Sequence, residues 1–372
     1  MSASLREKLR PFDAGLPLER ARTIPSSWYA DPEIADAERR HVFGGTWLAA
    51  GRVDQLPQVG SFFTADIAGE PILVVRDGDG VLRAFHNVCR HRAARVMQAE
   101  CGQATRLRCP YHGWTYDLAG RLRGTPEWDG VAEFRREDNG LVPLAVDTWG
   151  PLVWVHSGAA AQSLADFLAP LPERTAGPGL EALRFVQRRR YELRCNWKVF
   201  VDNYLDGGYH VNAVHPGLAG VLDYTQYRTE TFAHSSVQSS PLRPPDAQER
   251  GDVGKVRTGG RAYYWWVFPN LMVNMYEGVM DTNLVLPLGP DRCEVVFDFY
   301  FARTEGAEAE RFIADSIAVA DQIQQEDLGI CEEVQRGLGS SSYDTGRFSV
   351  RREGAGYHFH QLLARRLQAA AS

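Results

Sequence analysis

A chain of 372 residues is long enough for two domains with separate cores, and its 44% hydrophobic and 24% charged residues are ordinary for a globular protein. The net charge of −6, with basic residues dispersed along the chain, offers no footprint for nucleic acid, and the short run Arg188-Arg189-Arg190 reads as the solvated face of a strand. Met1 to Pro17 mixes charges and lacks an apolar core, no stretch approaches eighteen apolar residues, and six cysteines at this length do not build a disulfide framework. The expectation is a cytoplasmic protein with no membrane partner, in which Cys101, Cys195, Cys293 and Cys331 are buried free thiols.

The first predicted element is a short helix over Pro32 to Phe43, with Asp31 as its cap. Short strands follow at Trp47 to Arg52, Phe62 to Ile67, Pro71 to Arg76 and Leu82 to His86, with the turn Asp77-Gly78-Asp79-Gly80 between the last two. Trp114 to Asp117 and Leu152 to His156 add further strands, giving an all-β domain over residues 42–158 after an arm and helix over 1–41. The Ala-, Pro- and Gly-rich segment Gly158 to Gly179 reads as the join to a second domain, residues 159–372. There the pattern predicts a strand over Leu183 to Leu193 and a helix over Trp197 to Tyr209. Four strands come next, Arg261 to Phe268, Leu271 to Tyr276, Thr282 to Pro287 and Arg292 to Ala302, then helices over Ala307 to Gly337 and His360 to Ala371. An antiparallel sheet packed on helices is an α+β arrangement. The polar, aperiodic segment Ser235 to Gly260 reads as a loop and candidate lid.

Chemistry concentrates in two places. Cys89-Arg90-His91, followed after seventeen residues by Cys109-Pro110-Tyr111-His112, supplies two thiolates and two imidazoles from two short loops. That is the ligand set of a Rieske [2Fe-2S] cluster, in which two His replace thiolates on one iron and raise the potential from about −400 mV to roughly −150 to +300 mV. Two Cys and two His also satisfy tetrahedral zinc, but zinc modules usually pair like ligands, whereas each loop here mixes one of each.

The second place is Asn203-Tyr204-Leu205-Asp206-Gly207-Gly208-Tyr209-His210-Val211-Asn212-Ala213-Val214-His215. Two His and one carboxylate with open positions bind non-haem Fe(II) for oxygen activation. The pair His210 and His215 is weak evidence alone, since His86 and His91 share its spacing. A one-electron cluster in the same chain strengthens it, because such a cluster needs an acceptor. The third ligand is expected from the long helix, where Glu326-Asp327 is the candidate pair and Asp327 the choice.

The sequence resembles the oxygenase components of Rieske non-haem iron oxygenases over essentially its whole length, and among them the choline monooxygenase group with its bacterial relatives. The resemblance rests on Asn196-Trp197-Lys198-Val199-Phe200, Asp202-Asn203-Tyr204-Leu205-Asp206 with Tyr209-His210, Met280-Asp281-Thr282-Asn283-Leu284-Val285-Leu286-Pro287-Leu288, Glu326-Asp327 with Val334-Gln335-Arg336-Gly337-Leu338, and His358-Phe359-His360. It implies that Cys89, His91, Cys109 and His112 hold the cluster, that His210, His215 and Asp327 hold the iron, and that the catalytic domain is a helix-grip fold. It further implies a head-to-tail ring, usually a trimer, with one subunit's cluster facing its neighbour's iron. Many family members carry a bridging carboxylate three residues before the first iron His, where this chain has Gly207. Asp206, one residue earlier, is the natural substitute.

Together these parts describe a terminal oxygenase. A reductase, with or without a ferredoxin, passes electrons from NAD(P)H to the cluster; the cluster feeds Fe(II), and O2 is activated there to oxidise a small molecule. Asp206 links the two metal centres, and Asn203 tunes access to the iron. The resemblance suggests a quaternary ammonium substrate such as choline or a betaine, held by aromatic faces. Tyr264, Trp266 and Phe268 share one strand face and, with Tyr276, are the candidate substrate residues. A neutral or anionic aromatic compound, ring-hydroxylated or demethylated, is the alternative substrate. A pure electron carrier would not need the second domain, and a zinc-stabilised binding module would be colourless.

Overall fold

The computed structural model of the protein describes residues 3–158, 160, 162–176, 179–244 and 251–371. It forms two compact units, one over residues 43–166 and one that joins residues 1–42 to 167–372. Among the described residues no helix is long and apolar enough to cross a membrane.

The first unit is all-β. Strands β1 (Trp47–Arg52), β2 (Ser61–Ile67), β3 (Glu70–Arg76), β4 (Leu82–His86) and β5 (Cys101–Gln103) join β9 (Pro143–Trp149) and β10 (Leu152–His156) in a sheet ordered β1-β10-β9-β4-β3-β2-β5. Three short strands, β6 (Leu107–Arg108), β7 (Thr115–Tyr116) and β8 (Leu122–Gly124), form a second sheet. The predicted turn between β3 and β4 closes as the side chain of Asp77 accepts from the backbone N–H groups of Asp79 and Val81, with Gly80 at φ 79°. Phe62, Leu73, Phe85, Leu107, Trp114 and Tyr116 belong to the core of this unit. Cys101, expected to be buried, is exposed, because β5 is an edge strand and shows all three residues to solvent.

The second unit carries a seven-stranded antiparallel sheet of β11 (Arg184–Leu193), β12 (Arg228–Thr231), β13 (Ser235–Pro241), β14 (Arg261–Val267), β15 (Leu271–Tyr276), β16 (Val279–Gly289) and β17 (Arg292–Phe301). Its order is β11-β17-β16-β15-β14-β13-β12, so every neighbour from β12 to β17 is a sequence neighbour. The long helix Ala307–Leu338 and the C-terminal helix Gly354–Ala371 complete the α+β unit. The arginine run on β11 is charge-matched by β17: Arg188 meets Asp298 at 2.6 and 2.7 Å, and Arg190 meets Glu294 at 2.7 Å.

Two further expectations are corrected. The helix predicted over Trp197 to Tyr209 stops at Tyr204, because Gly207 and Gly208 come next with φ of 71° and 70°, a left-handed backbone that cannot continue a helix. The loop predicted over Ser235 to Gly260 contains the paired strand β13 and the helix Gly251–Val256; its residues 245–250 lie outside the described set. Within the segment read as the join, Gly158 to Gly179, lie the short helices Leu164–Leu168 and Leu171–Arg174, with residues 159, 161, 177 and 178 outside the described set.

Helix Trp197–Tyr204 is fixed by buried polar contacts rather than by length. Asn196 caps it by accepting from the N–H of Lys198, and its own amide donates to the carbonyls of Tyr29 and Pro290. The Glu38 carboxylate accepts from the indole N–H of Trp197 at 2.9 Å and pairs with the Lys198 ammonium at 2.7 Å, both Glu38 and Lys198 being buried. Burial pushes the Lys198 amine down from its ordinary value and Glu38 opposes that shift. At the other end Asp202 accepts from the Tyr29 hydroxyl at 2.6 Å and meets Nε2 of His360 at 2.8 Å. We expect Glu38→Ala to destabilise this unit by about 3–5 kcal/mol, because it strands a buried ammonium. Chemical denaturation that shows a loss below about 1 kcal/mol would mean that Lys198 finds another partner.

Candidate metal centres

The two cluster loops fold alike. In the first, the N–H of Cys89 donates to the Ala94 carbonyl and the N–H of Ala93 to the Cys89 carbonyl; in the second, Cys109 donates to Trp114 and Gly113 to Cys109. Ala93 and Gly113 occupy the matching left-handed position, with φ of 60° and 73°. Each loop therefore places its Cys sulfur inward and its His two or three residues later. Cys89 and Cys109 are buried, whereas His91 is half-buried and His112 exposed, with the two imidazole centroids 4.5 Å apart. Burial pushes the Cys109 thiol up, while backbone N–H groups of Tyr111 and His112 pull it down by hydrogen bonding to the sulfur.

Aromatic rings line the inner side. His91 stacks on Trp114 at 4.9 Å with planes 7° apart, and Trp128 meets the same ring edge-on at 5.2 Å. Tyr116 accepts from the N–H of Arg90, which leaves its hydroxyl hydrogen for the Cys89 sulfur 3.4 Å away. Hydrogen bonds to cluster sulfurs are one lever on reduction potential. Among the described residues the buried Nδ1 of His91 has no hydrogen-bond partner, as suits an atom reserved for a metal bond. The four side chains thus fit a Rieske cluster, with sulfurs inside and imidazoles toward the surface.

The second centre gathers around the double-glycine turn. Among the described residues, the donor atoms of His210, His215 and Asp327 lie within 4.8 Å of one another. Nε2 of His215 is 3.1 Å and Nε2 of His210 is 3.8 Å from the same Asp327 oxygen, so both imidazoles point their outer nitrogens at one place. The inner nitrogens are held by carboxylates: Nδ1 of His210 by Asp206 at 2.6 Å, and Nδ1 of His215 by Glu326 at 2.6 Å. A carboxylate at Nδ1 fixes the proton there and leaves the Nε2 lone pair free for a metal. Asn203 donates its amide to Asp327 Oδ1 at 2.7 Å, which restrains the carboxylate. Two imidazoles and one carboxylate in this arrangement fit non-haem Fe(II).

Asp206 reaches His210 through a turn and not along a helix face, since it lies beyond the helix end. Its Oδ1 accepts from the N–H of Tyr209 and its Oδ2 from the N–H of His210, so the carboxylate ties the turn and the ring together. Gly207, where many family members carry the carboxylate, has no room for one: a Cβ there would stand 2.1 Å from the Arg352 carbonyl oxygen.

A cavity of about 110 Å³ opens on His210, His215 and Asp327. Of the aromatic residues expected to hold substrate, Tyr264 and Tyr276 line it, their hydroxyls 2.8 Å apart. Trp266 and Phe268 do not. Further along the same strand face Trp266 is buried against Phe359 of the C-terminal helix at 5.5 Å, and Phe268 against Trp266 at 6.0 Å, so both are core. The sequence reading missed Tyr204, Tyr227, Arg257 and Asp281, which also line the cavity, and the His215 support from Glu326. Asp281 lies in the Met280 to Leu288 motif and Glu326 beside the expected ligand, so both carried a signal; Arg257 carried none.

The Rieske [2Fe-2S] domain profile matches residues 46–135, and the profile for the ring hydroxylating alpha subunit (catalytic domain) matches residues 180–369. The chain belongs to the Rieske ring-hydroxylating oxygenase family, as an alpha subunit with a cluster domain and a non-haem iron catalytic domain. It is an oxidoreductase that uses O2. Choline monooxygenase, chloroplastic, from Arabidopsis thaliana is 42% identical over 368 residues, covering 96% of this chain and 86% of that protein. The carnitine monooxygenase oxygenase subunit of Escherichia coli (strain K12) is 29% identical over 357 residues, covering 93% and 94%. Among solved structures, the quaternary ammonium Rieske monooxygenase CntA in complex with L-carnitine matches with a TM-score of 0.81 and 28% identity, over 95% of this chain and 99% of that one.

The pairing of Glu326 with His215 gives a direct test. Glu326→Gln should weaken Fe(II) binding by ~10–100-fold, as loss of an outer partner typically does, while the fold and the cluster's visible spectrum persist. Iron titration of the apo-protein reads this without turnover, and an unchanged affinity would show that His215 is oriented by packing alone.

Proposed function

We propose that this chain is the terminal oxygenase of a multicomponent monooxygenase acting on a small quaternary ammonium compound of the choline or betaine type. The observation that carries the substrate class is the cavity wall beside the His210, His215 and Asp327 triad, which the aromatic residues Tyr204, Tyr227, Tyr264 and Tyr276 line. Aromatic faces attract a trimethylammonium group by about 0.5–2 kcal/mol each, with no hydrogen bond required of it. The volume is small beside the roughly 300–1,000 Å³ of pockets for drug-sized ligands, which favours a compact substrate. The names of the relatives, choline and carnitine monooxygenases, point the same way.

In this reading His210, His215 and Asp327 are the iron ligands and Cys89, His91, Cys109 and His112 the cluster ligands. Bound Fe(II) supplies the activation of O2. Asp206 and Glu326 hold the protons on Nδ1 of the two histidines, and Asn203 keeps one oxygen of Asp327 occupied. The tyrosine wall orients the substrate and excludes water. A nicotinamide-dependent reductase supplies electrons, the working form is a head-to-tail homotrimer, and Asp206 bridges to a cluster histidine of the neighbouring subunit. The four cysteines outside the cluster, Cys101, Cys195, Cys293 and Cys331, carry free thiols, which suits a reducing compartment such as the cytoplasm.

Two outcomes are expected. With a competent reductase, oxygen uptake should be stimulated by choline or betaines; if an aromatic acid stimulates it and they do not, the alternative substrate class stands. Asp206→Asn should keep both metals yet slow single-turnover oxidation of the cluster by orders of magnitude, because an amide cannot accept from both sides as the carboxylate does. Cluster oxidation at the wild-type rate would remove the bridging role.

A further inference from the structure

Two opposite charges stand on the wall of the cavity that opens on the triad. Arg257 is 4% and Asp281 3% exposed. Arg257 comes directly after the helix Gly251–Val256, its N–H donating to the Val253 carbonyl, and its guanidinium carbon lies 4.7 Å from the centroid of the Tyr276 ring. Asp281 projects from β16, and its Oδ2 accepts from the amides of Asn274 at 2.6 Å and Asn283 at 3.2 Å. Among the described residues its Oδ1 accepts no hydrogen bond.

A quaternary ammonium ion needs only diffuse negative charge, which the tyrosine faces already provide. A buried guanidinium beside it opposes a plain cation and costs desolvation, so its place in this wall suits a substrate with an anionic end. The planar fork of arginine matches a carboxylate, and a substrate carrying one would meet the guanidinium over Tyr276 while its ammonium end faces the remaining aromatic rings. Asp281 offsets the guanidinium charge in the absence of substrate, and it disfavours a substrate that is an anion and nothing more.

We propose that Arg257 is a specificity-determining residue which receives the carboxylate of a zwitterionic substrate, so that the enzyme acts on betaine-type compounds, a quaternary ammonium with a carboxylate, in preference to choline. This rests on the quaternary ammonium reading above. It narrows that reading to one charge type.

Glycine betaine and choline form the decisive pair, because they share the trimethylammonium group and differ at the other end. With holoenzyme and reductase, kcat/KM from coupled oxygen uptake should favour glycine betaine or carnitine over choline by at least about tenfold, the discrimination expected of one charge-assisted contact. Arg257→Gln should raise KM for the betaine by ~10–100-fold with a smaller change in kcat and should bring the betaine-to-choline ratio toward unity; Arg257→Lys, which keeps the charge without the fork, should fall between. Betaine binding followed by thermal shift gives the same order without turnover. A wild-type preference for choline, or an equal loss for both substrates in Arg257→Gln, would overturn the assignment while leaving the quaternary ammonium reading intact. If neither compound is turned over and an aromatic acid is, both fall together. Should Arg257→Gln fail to fold, the wild-type preference and Arg257→Lys still decide.

Discussion

The iron centre depends on one buried carboxylate far back in the chain. Glu38 sits between the ammonium of Lys198 and the indole of Trp197, and through them it fixes the start of the helix that ends at Tyr204. Charges taken out of water demand good geometry, so this pair tolerates little displacement of the helix. Asp202 secures the other end against Tyr29 and His360. With both ends held, the double-glycine turn starts from a defined point and His210 is delivered to the same place each time. Asn203, on the last turn of the same helix, reaches Asp327 and so couples the helix to the carboxylate of the long helix.

Each histidine of the triad is held from behind by its own carboxylate, one local and one distant. Asp206 belongs to the turn that carries His210, so that half of the site forms from a short stretch of chain. Glu326 comes from the long helix that also carries Asp327, and consecutive residues of a helix point about 100° apart. His215 lies where that difference is useful, with Nδ1 on Glu326 and Nε2 on Asp327. One helix turn thereby supplies a member of the triad and the support of another.

The cluster loops are built differently. Both close with the same pair of backbone hydrogen bonds and the same left-handed residue, although one loop uses alanine and the other glycine at that position. The second loop closes on Trp114, whose carbonyl accepts from the Cys109 N–H and whose ring stacks on His91 of the first. The two loops are therefore registered through one tryptophan as well as through the metal they would share.

Much of this was legible in the chain itself, because the information was local. Strands β1, β4, β10 and β15 carry the residues the alternation predicted, and the mixed Cys and His loops favour a Rieske cluster over zinc by ligand type and spacing. Of the adjacent pair Glu326 and Asp327, it is Asp327 that stands inside the triad. Other features needed the folded chain. Helix periodicity ran through Gly207 and Gly208 to Tyr209, although a Gly-Gly pair is itself a turn signal; that the backbone turns there against the Arg352 carbonyl is a feature of the fold. Strand β13 was hidden because Ser235, Ser236, Gln238 and Ser240 are buried polar residues, whose place in a sheet is decided by their neighbours. Tyr264 and Trp266 share a face, yet only the tertiary packing of Phe359 over Trp266 sends one to the cavity and the other to the core. The sequence by itself pointed to the cluster, whose ligands lie in two short loops of telling residue type, and to the iron only through the cluster's need for an acceptor and the family resemblance. The wall around the iron site, including Arg257 opposite in charge to Asp281, was decided only when distant strands and helices met, because burial is a property of the assembled fold.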